Sequence, residues 1–396
     1  MMNHSNKLSA KVTRVGVFGL YYPNYRLGVF RKLANLPDVS FTFHGAQNVS
    51  GSFLKTEHEN PGFPFVDIWT KRIKLPFLNN YITFQPYAVW CMLMGEFDVF
   101  IMACDILRPS VWCNLVLSHI LGRKVCLWGH GKSYPPSRIA WFLRSIMFRL
   151  AHSVIFYTDG VRQEWMDDEI HKEKLFVAYN ALDTDISNAI ISKTTETELK
   201  KFRCEHGIEG KDIILFCGRL FLEWKKPHIL IKAMKQVIVQ KPNVHLVIIG
   251  DGPDRKFLEE LIESLQLSYH VTLTGAIHDE ELIGKFMLIS KLAVIPGNAG
   301  LGIQHAFGYG VPFITNSNLS KQTPEIELLV DNVNGRLCKD EDVSDFARAI
   351  IDLLTNENKR QAMAENAFQV IEKKYNVDNM AKGIIDAVKW AAKQEG

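Results

Sequence analysis

Twice along this chain, short apolar runs rich in β-branched residues alternate with longer helical patterns, and this alternation constrains the fold more than any other feature. "RVGVFG" (14–19) reads as a buried strand and precedes the helical "NYRLGVFRKLANL"; "DVFIMA" (98–103) precedes "VWCNLVLSHILG"; "KVCLWGHG" (124–131) precedes "RIAWFLRSIMFRLAH", and "SVIFYT" follows. A second series starts after "VAYNALDTD" (177–185) and a charged helix. Its strands are "DIILFCGRL" (212–220), "NVHLVIIGDGP" (243–253), "HVTLTGAI" (270–277), "LAVIPG" (292–297) and "VPFITN" (311–316), with helical patterns between them. Strands that are apolar along their whole length need cover on both faces, which a parallel sheet with crossover helices supplies. The expected fold class is α/β, with two doubly wound Rossmann-like domains in tandem over 1–184 and 185–375. A last helical pattern, within 376–396, has no strand after it and is expected to cross back to the first domain.

Composition removes several function classes. With 47% apolar and 22% charged residues over 396 positions and no biased tracts, the chain reads as folded rather than disordered. No run reaches the roughly 18 apolar residues of a membrane span, and the polar first eleven residues lack the apolar core of a secretion signal. A cytoplasmic protein is expected. Its seven cysteines fall singly inside apolar runs, without zinc spacing, and read as reduced core residues. The net charge of +3 hides an asymmetry: residues 1–150 carry 17 Lys and Arg against 7 Asp and Glu, the remainder 29 against 36. The basic front end is either a solvated face or an attraction to an anionic membrane surface or a phosphate-bearing acceptor. Arg138, Arg144 and Arg149 sit among large apolar residues in "RIAWFLRSIMFRLAH", a pattern shared by interfacial and half-buried helices. No nucleic-acid partner is expected.

Ligands of doubly wound sheets lie off the carboxyl ends of the strands, so the residues just after each strand carry the candidate chemistry. "CGRLFLEWKK" places Arg219 and the Lys225/Lys226 pair there, cations able to neutralise a diphosphate, or simply a solvated helix start. "IIGDGPDR" holds Gly250 and Gly252 but no third glycine, and no acidic residue ends the next strand; it reads as a tight turn, and a nicotinamide cofactor is not expected. "PGNAGLGIQHAFGYGVP" (296–312) packs five glycines into seventeen residues. Gly297, Gly300 and Gly302 let the backbone approach a ligand, and the following helix start offers amides to phosphate or sugar oxygens. His305, in that helix's first turn, is expected to face the same ligand rather than pack in the core. "LWGHG" sets His130 between glycines at the ligand end of the first sheet. The Asp183–Asp185 pair of "DTD" is the one metal-like motif, and no metal is expected.

The ordered set "VAYNALDTD", "GRL…KKPHILIKA", "LVIIGDGP", "VTLTGAI", "AVIPG…GLGIQHAFGYGVPFITN" and "TPEIELLVDNVNGRL" resembles the retaining glycosyltransferases of family 4, strongly over 177–375 and less before it. The resemblance implies the GT-B fold, two Rossmann-like domains facing across a cleft, the first binding the acceptor and the second a nucleotide diphosphate sugar. It implies metal-independent hexosyl transfer without a cofactor, from a UDP or GDP sugar to a glycan or lipid-diphosphate-linked saccharide, in bacterial cell-surface polysaccharide synthesis at the inner face of the plasma membrane. By resemblance, Arg219 and Lys225 match the diphosphate-binding pair, with one extra residue between them, so that Lys226 competes for the lysine role. Gly275, Ala276 and Ile277 match the loop that reads the nucleobase, and His130 the histidine beside the donor sugar. Gly218, Asn298, Ala299, Gly300, Leu301 and Gly302 complete the expected donor contacts. The two glutamates of most members fall on Gly297 and His305 here, leaving Asn298 as the side chain expected to hold the sugar and a neutral His305 imidazole to hold the ribose. A sugar-nucleotide epimerase and a non-catalytic nucleotide-sugar-binding protein are the alternatives.

Overall fold

The computed structural model describes residues 12–47, 61–75, 81–132, 137–167 and 172–394; the polar amino-terminal segment lies outside the described residues. The chain divides into unit 1, Met1–Tyr179 with Val377–Gly396, and unit 2, Asn180–Asn376. The sequence placed these divisions at 184/185 and 375/376.

In unit 1 the strands are β1 (Thr13–Phe18), β2 (Val39–Gly45), β3 (Phe65–Asp67), β4 (Lys71–Lys74), β5 (Tyr81–Phe84), β6 (Val99–Ala103), β7 (Lys124–Gly129), β8 (Ser153–Phe156) and β9 (Leu175–Val177). The helices between them are α1 (Leu27–Ala34), α2 (Pro86–Met94), α3 (Pro109–Leu121), α4 (Arg138–Leu150) and α5 (Asp159–Met166). Seven strands form one parallel sheet in the order β3-β2-β1-β6-β7-β8-β9, and β4 and β5 pair as a separate antiparallel ribbon. Both α2 and α3 start on a proline and stop at a glycine in the left-handed region, Gly95 (φ 68°) and Gly122 (φ 64°), where a side chain would be strained. The basic helix of the sequence is α4: Ala140, Ser145, Met147 and Phe148 are buried, whereas Ile139 and Phe142 are 75% and 62% exposed.

Unit 2 begins with α6 (Thr184–Lys193) and α7 (Glu196–Glu205), the latter closed by a Thr195–Glu198 capping box. It continues through β10 (Asp212–Cys217), α8 (Pro227–Gln240), β11 (Val244–Ile249), α9 (Arg255–Ser264), β12 (Val271–Gly275), α10 (Glu280–Ile289) and β13 (Ser290–Val294). It ends with α11 (Gly302–Gly308), β14 (Phe313–Asn316), β15 (Gly335–Cys338), α12 (Val343–Thr355) and α13 (Glu357–Lys373). Its six-stranded sheet runs β12-β11-β10-β13-β14-β15, the strand order of dinucleotide-binding Rossmann sheets. β11 is buried at every position and the inner positions of β10 likewise, as the continuous apolar runs require. Strand order reverses between β1 and β6 in unit 1 and between β10 and β13 in unit 2, which fixes where each sheet can open a ligand crevice. No helix among the described residues is long and apolar enough to cross a membrane.

The cysteines depart in part from expectation: all are free, and Cys91, Cys126 and Cys338 are buried, but Cys104 and Cys217 are half-buried and Cys113 and Cys204 exposed. The last helix, α14 (Val377–Lys393), packs on β7, β8, β9 and α1 of unit 1. Gly383 sets that contact, since a Cβ there would stand 2.1 Å from the Val177 carbonyl oxygen. Gly383→Ala is therefore expected to cost unit 1 about 1–3 kcal/mol by overpacking. Calorimetry should show its unfolding transition lowered and that of unit 2 in place; an unshifted unit 1 transition would contradict this packing.

Candidate functional site

Of the expected site residues, only His130 lies in unit 1; Arg219, Lys225 and all the donor-binding positions lie in unit 2. In unit 2 they gather around the carboxyl ends of β10 and β13. The Gly218 amide donates to the Ile249 carbonyl (2.9 Å) and the Gly250 amide to the Gly275 carbonyl (2.9 Å), which joins the ends of β10, β11 and β12 in a row. A Cβ on Gly250 would lie 1.9 Å from the Gly218 oxygen, and one on Gly252 2.2 Å from the Leu220 oxygen. These two glycines serve close main-chain packing of the turn. Gly275 has φ 83°, and Ala276, exposed, and Ile277, half-buried, follow it in the loop leading to Asp279, which caps α10.

The structure separates the two lysines that the sequence left in competition. Lys226 occupies the left-handed region (φ 53°) immediately before Pro227, and its ammonium donates to Asp340 Oδ1 and Glu341 Oε1, each at 2.7 Å. That ion cluster anchors the start of α8, so Lys226 is corrected from a donor contact to an internal one. Lys225 turns the other way: its Nζ donates to the carbonyls of Asn298 (2.7 Å) and Ala299 (3.1 Å) in the glycine-rich loop. Burial pushes its pKa down to about 8, against the opposing influence of Cys217 and Glu325. An ammonium has three donors; two are used here, and the third has no partner among the described residues. Arg219 is exposed at the head of the same loop.

The glycine-rich loop is bound from two sides. The Gly297 amide donates to the Lys225 carbonyl (3.0 Å) and the Asn298 amide to the Trp224 carbonyl (2.6 Å). A Cβ at Gly297 would fall 2.0 Å from the Trp224 oxygen, so the longer Arg219–Lys225 loop fills the space that a side chain at 297 would need. On the other side, Gln322 donates to the Gly297 carbonyl and accepts from the Ala299 amide, both at 2.9 Å, while Asn316 donates to the Pro296 carbonyl (2.7 Å). Asn298, expected to hold the sugar, is buried, and its side-chain amide donates to the Lys321 carbonyl (2.9 Å); its role is corrected to bracing the loop. The helix start is also less bare than expected, because the amides of Gly302 and Ile303 bond back to the Ala299 and Gly300 carbonyls. The amides of Gly300 and Leu301 donate to no group among the described residues.

His305 is in the first turn of α11, as its spacing predicted, but its charge state is not the neutral one expected. Burial lowers its pKa, yet hydrogen bonds and attraction from Cys217, at the end of β10, and Glu280, at the start of α10, outweigh this and raise it to about 9. His305 Nε2 is 3.4 Å from Glu280 Oε2, and the same contact holds the Glu280 carboxyl below its ordinary range. Cys217 and Glu280 are site residues that the sequence reading missed. Glu280 lies three positions beyond the expected loop 275–277, and Cys217 was read as core because its strand is apolar. Asp183, of the metal-like pair, accepts from the Asp185 amide to cap α6, and the described residues hold no cluster of three metal-ligating side chains.

A histidine whose folded pKa exceeds its ordinary 6.5 adds stability that is complete below 6.5 and lost as pH rises through about 9. Glu280→Gln is expected to lower the His305 pKa, read by NMR titration of its ring, and to flatten the decline in unit 2 stability between those pH values. An unchanged titration would remove Glu280 from the pair.

Residues 199–370 match the family Glycosyl transferases group 1. The alpha-D-kanosaminyltransferase of Streptomyces kanamyceticus is 25% identical over 296 residues, covering 69% of this chain and 72% of that protein. Of the next curated relatives the chain spans about half, 49% to 58% of their length. Among solved structures, Anabaena Alr3699/HepE in complex with UDP superposes with a TM-score of 0.74 at 19% identity, covering 96% of this chain and 100% of that one. A glycosyltransferase from Rickettsia africae ESF-5 reaches 0.75 at 16% identity, covering 97% and 100%. A Listeria monocytogenes structure described as a putative UDP-N-acetylglucosamine 2-epimerase reaches 0.64 at 15% identity, covering 96% of both chains. Residues 199–370 thus resemble the glycosyl transferases of group 1, and the chain's two Rossmann-like units have the GT-B fold.

Proposed function

We propose that the protein transfers a hexosyl group from a nucleotide diphosphate sugar to a hydroxyl of a saccharide acceptor, with retention at the anomeric carbon. The observation that carries this reading is the Lys225 ammonium, held by two carbonyls of the glycine-rich loop where the strand order reverses, with one donor to spare. UDP and UDP-glucose in the related Anabaena crystal structures support a uridine nucleotide as donor. The bond from the anomeric carbon to the diphosphate breaks, the acceptor oxygen bonds to that carbon on the same face, and the acceptor proton passes to the departing phosphate. The negative charge that builds on the leaving group is met by Lys225, Arg219 and the Gly300 and Leu301 amides, which lie fixed before the reaction starts. His305, charged at neutral pH, donates to the nucleotide from beside them, and Gly275, Ala276 and Ile277 border the base. No metal or cofactor enters this scheme.

Arg219→Ala and Lys225→Ala are each expected to lower kcat/KM by about 10²-fold or more. Because kcat/KM follows the free enzyme, it should fall above pH of about 8 as Lys225 loses its proton, and Lys225→Arg should move that decline up to about 9, where His305 loses its own. Release of UDP only when an acceptor is present separates a transferase from the epimerase and from a non-catalytic binding protein; acceptor-independent turnover, or none at all, would overturn the reading.

The proposal extends to a peripheral site of action on lipid-linked acceptors in cell-surface polysaccharide synthesis. It is supported by exposed apolar side chains on α2, α3 and α4, among them Leu93, Ile120, Ile139 and Phe142, with Arg138 alongside on α4. Flotation with vesicles containing phosphatidylglycerol should bring the protein up with the lipid. Phe142→Asp should leave it in the bottom fraction, and equal flotation of both would refute this face.

A further inference from the structure

The carboxyl ends of β1, β6 and β7, where strand order reverses in unit 1, surround a cavity of about 300 Å³. That is the lower end of the usual ligand range, about 300–1,000 Å³, and suits a single ring better than an extended chain. The loop after β1 builds it. Buried Tyr22 pins that loop, donating its hydroxyl to the Val17 carbonyl (2.9 Å) and accepting from the Gly19 amide (3.2 Å). Gln85 adds a second tie, donating to the Gly19 carbonyl (2.8 Å) and accepting from Arg108 Nη1 (3.1 Å).

The chemistry of the lining is one-sided. Aromatic faces come from Tyr25, Trp128 and Tyr157, cationic or donor groups from Arg26, Arg108 and His130, and the described lining includes no aspartate or glutamate. The Arg26 guanidinium carbon lies 5.0 Å from the ring centres of both Trp128 and Tyr157, and its Nη2 donates to the Tyr157 hydroxyl at 2.9 Å. A planar fork fixed against aromatic faces is the arrangement suited to a carboxylate or phosphate. One buried donor remains unmatched among the described residues: the Trp128 indole N–H has no hydrogen-bond partner although Trp128 is only 9% exposed, whereas Arg108 Nε lies 3.7 Å from Asp105 Oδ2. Indole and guanidinium nitrogens can only donate. A buried donor without a partner is costly, and a group that only accepts would satisfy it.

We infer that this cavity receives an acidic sugar of the acceptor, its ring against the aromatic faces and its anionic substituent on Arg26 and the unmatched donor of Trp128. The inference rests on the transferase reading for the word acceptor, and on unit 1 alone for the ligand. The same lining chemistry serves a ring carboxylate or a sugar phosphate.

Titration calorimetry of the full chain with methyl β-D-glucuronide, α-D-glucose 1-phosphate and methyl β-D-glucoside, with UDP as a separate titrant, tests it. At least one anionic sugar should bind ten-fold or more tighter than the neutral glucoside, and the tighter of the two identifies carboxylate or phosphate as the recognised group. Arg26→Gln should abolish the preference and leave UDP affinity unchanged. Equal affinity for anionic and neutral sugars, binding of UDP but of no sugar, or a preference that survives Arg26→Gln would each overturn the assignment. A preference for the anion without UDP binding would uphold the cavity's ligand and overturn the transferase reading instead.

Discussion

Much of unit 2's ligand end depends on one partly desolvated ammonium. Lys225 gives up water, which lowers its pKa to about 8, and regains two hydrogen bonds from the Asn298 and Ala299 carbonyls. Main-chain bonds from Gly297 and Asn298 to Lys225 and Trp224 close the same junction. The loops after β10 and β13 thereby hold one another, and neither has to rely on a side chain at 297. Gln322, Asn316 and Asn298 brace the far side. A loop of many glycines is stiff here because its amides and carbonyls are bonded, not because its residues resist rotation.

Both units use the reversal of strand order in the same way. In unit 1 a guanidinium lies among aromatic rings beyond β1 and β6; in unit 2 an ammonium lies among carbonyls beyond β10 and β13. The difference in partners matters to what each can bind. Carbonyls hold the lysine but leave it exposed to the pull of a neighbouring anion, whereas aromatic faces fix the arginine's plane and so its direction of approach.

The strand-helix rhythm was legible because fully buried strands are apolar throughout, and "VHLVII" or "DIILFC" can be little else. Shorter or mixed strands were not read: β2 interleaves Ser40, Thr42 and His44 with its apolar residues, β3, β9 and β15 have three or four residues, and β4 of the β4–β5 ribbon is largely exposed. At the site, the sequence located the strand ends and His305 but could not divide Lys225 from Lys226, since adjacent residues differ only in which way the turn aims them. Glu280 and Cys217 were invisible for another reason. Their importance comes from meeting His305 across three separate elements, and no spacing along the chain records that meeting. The Asn298 error has the same origin, because the Lys321 carbonyl that takes its amide lies on another segment.

The path of the chain has a consequence for how the molecule is made. Unit 1 is interrupted: its sheet ends with β9, the whole of unit 2 follows, and only then does α14 return to cover β7, β8 and β9. During synthesis from the amino terminus, unit 2 is complete as one continuous stretch while unit 1 still shows bare apolar strands. The ribosome must finish the second-born domain before the first-born one can close, so a chain released near residue 376 would have one mature lobe and one unsealed.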